Sequence, residues 1–596
     1  MQTFRKYTSE GQKKKMNRSL YRYTATFFLI IACHLFIAGT SPRIANAQKP
    51  EIADTILVNA AVLCCDPEMN VAQAIAMRDG RILAVGDRPS VEIHANDSTK
   101  IVDLAGGVVT PGFCDSHLHF SGLGESLQRI DLRTAKTWNE VVDMVAAQAT
   151  NTPAGTWIEG RGWHQSKWTP KQEPNVEGYP LHDLLSEKVP NHPVVLTHAS
   201  GHACLANAAA MKLAGIAAET ENPDGGEIVR DSKGNAIGVF RENAQRLIFS
   251  VQTRTSLATG DVTAFRSRLQ KTIELAGQEC LRHGITSVHD AGSSFATANE
   301  FGQFADQAKL PVRVYMMIRE GSGSLLQKLP KEPILGRGNG FFTVRSVKVS
   351  IDGALGPHGA WLLEPYDDLP SSVGLNTVAM DELEKIAELC KRRHWQLCVH
   401  AIGDRANRET LNVFEKVLGN EISSDHRWRI EHAQHIHPND LPRFVKLGVI
   451  PAMQGNHCTS DALFVIERLG QRRSSEGAYP WRTLIDSGCI IPNGTDAPVE
   501  LADPRVSLFA SVTRQQPNGV AFFPEQCMTR REALLSYTLW PAIASFQDKE
   551  LGSITPGKIA DFAVWDTNLL ECEAQKLLTA KVLSTWMSGK QVYGGE

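Results

Sequence analysis

Between about residue 113 and residue 545, short apolar runs alternate with stretches of helical periodicity, a texture that leaves few folds open. The runs include Val194 to Thr197, Ile285 to His289, Val312 to Ile318, Val344 to Ile351, Gln396 to His400, Trp428 to His432, Val449 to Met453 and Ile490 to Thr495. Met380 to Arg393 and Arg405 to Leu418 carry helical spacing between them. Buried parallel strands read as continuous apolar runs, and strands separated by helices imply βαβ units. The expectation is an α/β chain built on a parallel barrel. A further strand at Phe113 makes more candidates than eight places, so at least one run belongs to an insertion. Residues 151–260, rich in Pro, Gly, Asn and Trp, are the expected insertion.

The flanks differ. Residues 48–112 read as short strands and turns, with Arg78-Asp79-Gly80 as a hairpin signal, and β texture returns over 546–596. The two ends are expected to form one small β domain. Hydrophobic residues at 42 % and charged residues at 21 % describe a globular chain with a core large enough to need no staples. The balance of 62 basic and 65 acidic residues gives −3, which excludes broad electrostatic binding of nucleic acid. The 12 cysteines form no CxxC pair, which argues against a zinc ribbon or a small disulfide scaffold.

The first 47 residues read as a secretory signal. Lys13, Lys14, Lys15, Arg18 and Arg22 precede an apolar run from about Ala25 to Ala38, and Ala45-Asn46-Ala47 supplies a small-residue cleavage site. The run is shorter than the roughly 20 residues of a spanning helix and contains His34. The expectation is cleavage after Ala47, a secreted or periplasmic destination, and only transient membrane contact. Met16 is an alternative start. Loss of Cys33 leaves an odd number of cysteines, hence at least one free or intermolecular thiol.

Chemistry concentrates where apolar runs end. In Pro111-Gly112-Phe113-Cys114-Asp115-Ser116-His117-Leu118-His119, the two histidines are one residue apart and share one side of an extended strand. Such a pair alone is a weak metal signal. His400, His432 and Asp496 each end a further run, and barrel enzymes collect ligands from several strand ends in this way. Together they favour a site for a divalent cation, with Zn, Fe, Ni and Mn all suited to imidazole.

These blocks, with Ser350-Ile351-Asp352-Gly353, Val399-His400-Ala401-Ile402-Gly403-Asp404, Thr495-Asp496-Ala497-Pro498-Val499 and Gly552-Ser553-Ile554-Thr555-Pro556-Gly557-Lys558-Ile559-Ala560-Asp561, resemble the metal-dependent amidohydrolase superfamily. The resemblance is to its YtcJ-like branch, amidohydrolase family 3, which includes N-substituted formamide deformylase, and it spans roughly Ile56 to Val592. It implies a (β/α)8 TIM barrel over 113–545 beside a β-sandwich made from both chain ends. It implies His117, His119, His400, His432 and Asp496 as ligands of one or two metal ions, zinc first. It also places Lys348 where binuclear members carry a carboxylated lysine bridging the metals. The alternative for Lys348 is pairing with a carboxylate such as Asp352. The implied activity is hydrolysis of a non-peptide C–N bond, an amide or N-substituted formamide, by metal-activated hydroxide, with Asp496 as the proton shuttle. Ester or lactone hydrolysis on the same site, or metal and ligand binding without turnover, are the competing readings.

Other residues carry less. His202 and His289 are candidates near the substrate. Asp404 and Glu431 flank ligand positions and are candidates to orient the imidazoles, or else to cap helices or pair with arginines. Trp163, Trp168 and Trp361 are candidates for an apolar pocket. After Asp352-Gly353, many relatives have a Ser-Arg-Thr-like segment; here the run Ala354-Leu355-Gly356-Pro357-His358 departs from it, and His358 is a further substrate-side candidate. The expected partner is a small-molecule substrate, with no nucleic acid; a homo-oligomer stays open.

Overall fold

The structure is a computed structural model that describes residues 50–256 and 262–594. The expected signal segment lies outside the described residues. Among the described residues, no helix is long and apolar enough to cross a membrane.

Eight parallel strands form the centre: β1 (Phe113–Leu118), β2 (Ile285–Ser293), β3 (Arg313–Ile318), β4 (Phe342–Ser350), β5 (Gln396–Ala401), β6 (Arg429–His432), β7 (Ile450–Gln454) and β8 (Asn493–Gly494). They pair in that order. The ring is drawn together just past β8, where Asp496 N donates to His117 O at 2.7 Å and Thr495 N to Asp115 Oδ1 at 3.0 Å. A Cβ on Gly494 would lie 2.6 Å from His117 N, so glycine there lets β8 approach β1. This is the TIM barrel expected from the alternating runs.

Helices return the chain between strands. Met380–Arg392 buries Leu383, Ile386, Ala387, Leu389 and Cys390 and turns its polar face outward. Asp381 and Glu382 sit in its first turn and Lys391 and Arg392 in its last, each sign matching the helix dipole. Asp404–Leu418 buries Leu411, Phe414 and Leu418 at helical spacing and ends at Gly419, whose φ is +52°. Each such buried side chain contributes roughly 1.5–3 kcal/mol.

One candidate run lies elsewhere. Val194–His198 belongs to a separate six-stranded sheet with Ile130–Asp131, Ile158–Trp163, Ala203–Ala206, Gly226–Arg230 and Ala236–Glu242. Its core holds Trp138, Trp163, Trp168 and Tyr179. The inserted layer therefore starts near Ile130, earlier than the Pro- and Gly-rich texture from about 151.

The chain ends share a β domain. Val108–Pro111 pairs antiparallel with Phe562–Trp565, inside a six-stranded sheet. That sheet shares a core, including Leu57, Val62, Ile75, Val109, Phe562 and Trp586, with a four-stranded sheet from residues 55–103. The predicted hairpin is there, with Asp79 at φ +50° and Gly80 at +76°, both central residues left-handed as a type I′ turn requires. The domain is bolted to the barrel by Arg313 of β3, whose Nε and Nη2 donate to the Asp561 carboxylate at 2.6 and 3.0 Å. At the crossover from domain to barrel, a Cβ on Gly112 would meet Thr286 Oγ1 at 2.1 Å, so only glycine fits.

Candidate metal centre

The strand ends deliver side chains to the C-terminal mouth of the barrel. His117 and His119 come from β1 and the residue after it, His400 from β5, His432 from β6, and Asp496 from just past β8. Asp496 is the meeting point. Its Oδ1 lies 3.3 Å from His119 Nε2 and 3.6 Å from His117 Nε2, and its Oδ2 lies 3.8 Å from Nε2 of His457. His117, His119 and Asp496 form one group able to hold a cation, and His432, His457 and Asp496 another, each with its ligand atoms within 4.8 Å of one another. The rings of His400 and His432 are 4.4 Å apart, those of His117 and His432 4.6 Å. His432 and Asp496 both have positive φ, +73° and +55°, a backbone conformation that costs energy outside glycine and is common at functional sites.

The donor atoms suit a cation. Among the described residues, Nε2 of His117, His400 and His457 and Oδ1 of Asp496 are buried without a hydrogen-bond partner. Unpaired buried polar atoms are costly, and a metal ion would satisfy them. Two of the other ring nitrogens donate away from the site, His117 Nδ1 to Glu431 Oε2 and His432 Nδ1 to Gln454 Oε1 at 2.8 Å, whereas His457 Nδ1 accepts from Gln434 Nε2 at 3.0 Å and keeps its proton on the Nε2 that faces Asp496. A ring nitrogen that donates, as in His117 and His432, frees the lone pair of the other and aims it at a ligand position.

Burial, reinforced by neighbouring charges such as that of Lys348, holds His117, His400 and His432 well below the usual imidazole range, so they are neutral ligands. Burial pushes the Asp496 carboxyl upward, but His119, 3.3 Å from it, and the surrounding imidazoles outweigh that and keep it well below the usual range. Burial brings Lys348 down to about 8. Lys348 makes no ion pair among the described residues. Asp352 instead accepts from the backbone N–H groups of Ile402, Gly403 and Trp361, and its Oδ1 lies 3.4 Å from His400 Nε2.

A cavity of about 860 Å³ opens beside these residues, with His119, His202 and Lys348 on its wall. A smaller hollow of about 50 Å³ is lined by Leu355, Phe464, His432, His457 and Asp496 among others, and shares His202 with the larger cavity.

The second-tier candidates divide. His202 reaches the cavity and pairs through Nδ1 with Glu242 Oε2 at 2.7 Å. Glu431 holds His117 and is itself held by Arg429 at 2.7 Å. Three expectations need correction. His289 is buried in the barrel interior, bonded to Arg429 Nη1 at 2.9 Å and facing Cys114 Sγ at 3.4 Å, and is absent from both cavity walls. His358 is tied to Asp368, which also binds Arg468, and likewise lines neither cavity. Asp404 accepts from the N–H groups of Leu363 and Arg405 at its helix start; the carboxylate beside His400 is Asp352. The tryptophans also serve packing: Trp163 and Trp168 stack in the inserted layer, and Trp361 lies under Arg405. His457, three residues past β7, is a site residue that the sequence reading missed, although it too follows an apolar run.

A parallel barrel with a histidine and aspartate cluster at its C-terminal mouth is the frame of a metal-dependent hydrolase. The model of the amidohydrolase family matches residues 100–593, and the chain belongs to that family. It is 32 % identical to Protein LONG AFTER FAR-RED 3 of Arabidopsis thaliana over 555 residues, 91 % of this chain and 92 % of that protein. It is 28 % identical to the N-substituted formamide deformylase of Arthrobacter pascens over 90 % of this chain and 98 % of that one. An uncharacterized metal-dependent hydrolase from Pyrococcus horikoshii OT3 superposes with a TM-score of 0.68 at 25 % identity, over 87 % of this chain and 99 % of that one.

Proposed function

We propose that the protein hydrolyses a non-peptide C–N bond, in an amide or N-substituted formamide, using a divalent cation held by His117, His119, His400, His432 and Asp496. The observation that carries this reading is the convergence of buried, unpartnered imidazole nitrogens on a carboxylate beside an open cavity. The likeness to an N-substituted formamide deformylase supports formamides as the first substrates to try. Zinc is the first metal to try, given the imidazole-rich donor set. When bound, the cation supplies Lewis acidity to the scissile carbonyl and makes water a nucleophile near neutral pH.

The chain supplies the rest. Asp496, kept ionised by its imidazole neighbours, takes the proton of the attacking water and returns it to the leaving nitrogen. Glu431 and Gln454 hold the rings of His117 and His432 so that their Nε2 atoms face the site. Lys348, free of carboxylate partners and readily deprotonated, is suited to take up CO2 as a carbamate whose two oxygens would join the ligand set. The basic and apolar leader ending in Ala45-Asn46-Ala47 supports work outside the cytoplasm on a small molecule.

The test is elemental analysis of protein purified without added metal, with native mass read for the roughly 44 Da of a lysine carbamate, followed by turnover of N-phenethylformamide and phenethyl formate. Bound metal and formamide hydrolysis that a chelator abolishes and zinc restores is the expected result. Asp496→Asn should lower kcat by about 10²–10⁴-fold. Turnover of the ester alone would move the activity to C–O bonds. Failure to take up any metal would overturn the reading.

A further inference from the structure

Charges of both signs line the large cavity, but they differ in how they are engaged. Its carboxylates already have partners. Glu125 pairs with Arg129 at 3.2 Å, Glu242 with His202 at 2.7 Å, and Asp352 caps three backbone N–H groups. Glu320 accepts from Phe295 N at 3.1 Å and Glu382 from Ser322 N at 3.4 Å. Arg129 is doubly paired, since it also meets Glu159 at 2.7 Å.

Three other guanidiniums lining the cavity form no ion pair with a carboxylate among the described residues. Arg161 donates only to the carbonyls of Pro498 and Ala199, at 3.3 and 3.2 Å. That fixes it between the loop carrying Asp496 and the loop carrying His202. The guanidiniums of Arg319, the first residue past β3, and Arg246, at the head of the helix Arg246–Ser256, make no hydrogen bond or ion pair among the described residues, and both residues line the cavity. The backbone is shaped around Arg319. A Cβ on Gly292, at the end of β2, would lie 3.0 Å from both Cβ and Cδ of Arg319, so glycine there keeps a lane open for that side chain into the mouth.

An arginine offers five donors in a planar fork that matches an oxyanion, and it stays charged at any working pH. Three of them lining one cavity without carboxylate partners among the described residues, with the acids turned to other work, form a receptor for an anion. We propose that the substrate of this site carries a carboxylate remote from the scissile bond, received by Arg319 and Arg246 with Arg161 between them and the Asp496 loop. This rests on the hydrolytic reading above and adds to it the charge of the substrate.

The test compares N-phenethylformamide with its para-carboxylate on the metal-loaded enzyme. The carboxylate should be preferred in kcat/KM by at least about tenfold, mainly through KM, and added salt should erode the preference. In Arg319→Gln and Arg246→Gln the ratio of the two substrates should fall by about tenfold each. Arg319→Lys should keep part of it, because charge without the fork remains. Arg129→Gln, on the same wall but already paired, should leave the ratio unmoved. Equal turnover of the two formamides, or a preference that neither glutamine variant changes, would overturn the proposal while leaving the hydrolase intact. If neither formamide is hydrolysed, the hydrolytic reading fails, and calorimetric titration with phenylacetate reads the anion receptor on its own. Binding weakened about tenfold in Arg319→Gln would support it, and no binding to the unaltered protein would overturn it.

Discussion

The mouth of the barrel and the layer just beneath it are built from the same residue types and satisfy them in opposite ways. At the mouth, His117, His400 and His457 each leave Nε2 without a partner, and Asp496 leaves an oxygen so. One layer down, Arg429 is fully buried and spreads its donors over Glu431, the Ser116 carbonyl and His289. His289 has a polar neighbour at both ring nitrogens, whereas each of the mouth histidines has a partner at only one or at neither. A histidine in a barrel is thus not a ligand by its type or by burial. Nor is a bare nitrogen enough, since His435 leaves both of its own unpartnered among the described residues, outside either ligand group; what marks the mouth is that several ring nitrogens meet at Asp496.

Glu431 joins the two layers, since one carboxylate serves both Arg429 and His117. The sharpest way to break the contrast is therefore from below. Arg429→Met removes the cation but leaves the Glu431 carboxylate buried, and losing one partner of a buried pair costs about 3–5 kcal/mol. We expect a large fall in melting temperature even with metal in excess. A variant as stable as the parent would mean that the lower layer is not the rigid support described here. Glu431→Gln is milder: it keeps an acceptor for His117 but weakens the ring's basicity and orientation. The expected loss in metal affinity is about 10–100-fold, measured by competition with a chelator of known strength. An unchanged affinity would separate the two layers functionally.

The sequence made the strand ends legible, because a buried parallel strand is apolar to its last residue and a polar residue there stands out. Hence His117, His400, His432 and Asp496 could be placed at the mouth without a structure. Their partners were not legible. Gln454 serves His432 from β7, and Asp352 sits beside His400 from just past β4, so both contacts are made across strands rather than along the chain. Asp404 looked better placed because it is near His400 in sequence, but as the first residue of its helix it turns to the N–H groups of Leu363 and Arg405. His358 looked exposed to substrate because its segment departs from the family pattern, yet that segment folds back onto Asp368. The inserted layer was seen late because its first strand is only two residues long, too short for any periodicity.

His202 stands between the two classes, since it faces the cavity but has a carboxylate partner in Glu242. Burial lowers its pKa, but the charge and hydrogen bond of Glu242 raise it by more, so the folded value lies above that of the free side chain. A histidine raised in this way adds stability that is fully present below its unfolded pKa, about 6.5, and lost as pH rises through the folded value. The gap in melting temperature between the parent and His202→Gln should therefore be widest in mildly acidic buffer and close as the solution turns alkaline. Its size should correspond to about 1 kcal/mol, the usual net worth of such a bond. A gap that stays constant with pH would show His202 to be neutral throughout. It would then join the uncharged imidazoles of the mouth, with its Nδ1–H a neutral donor to Glu242.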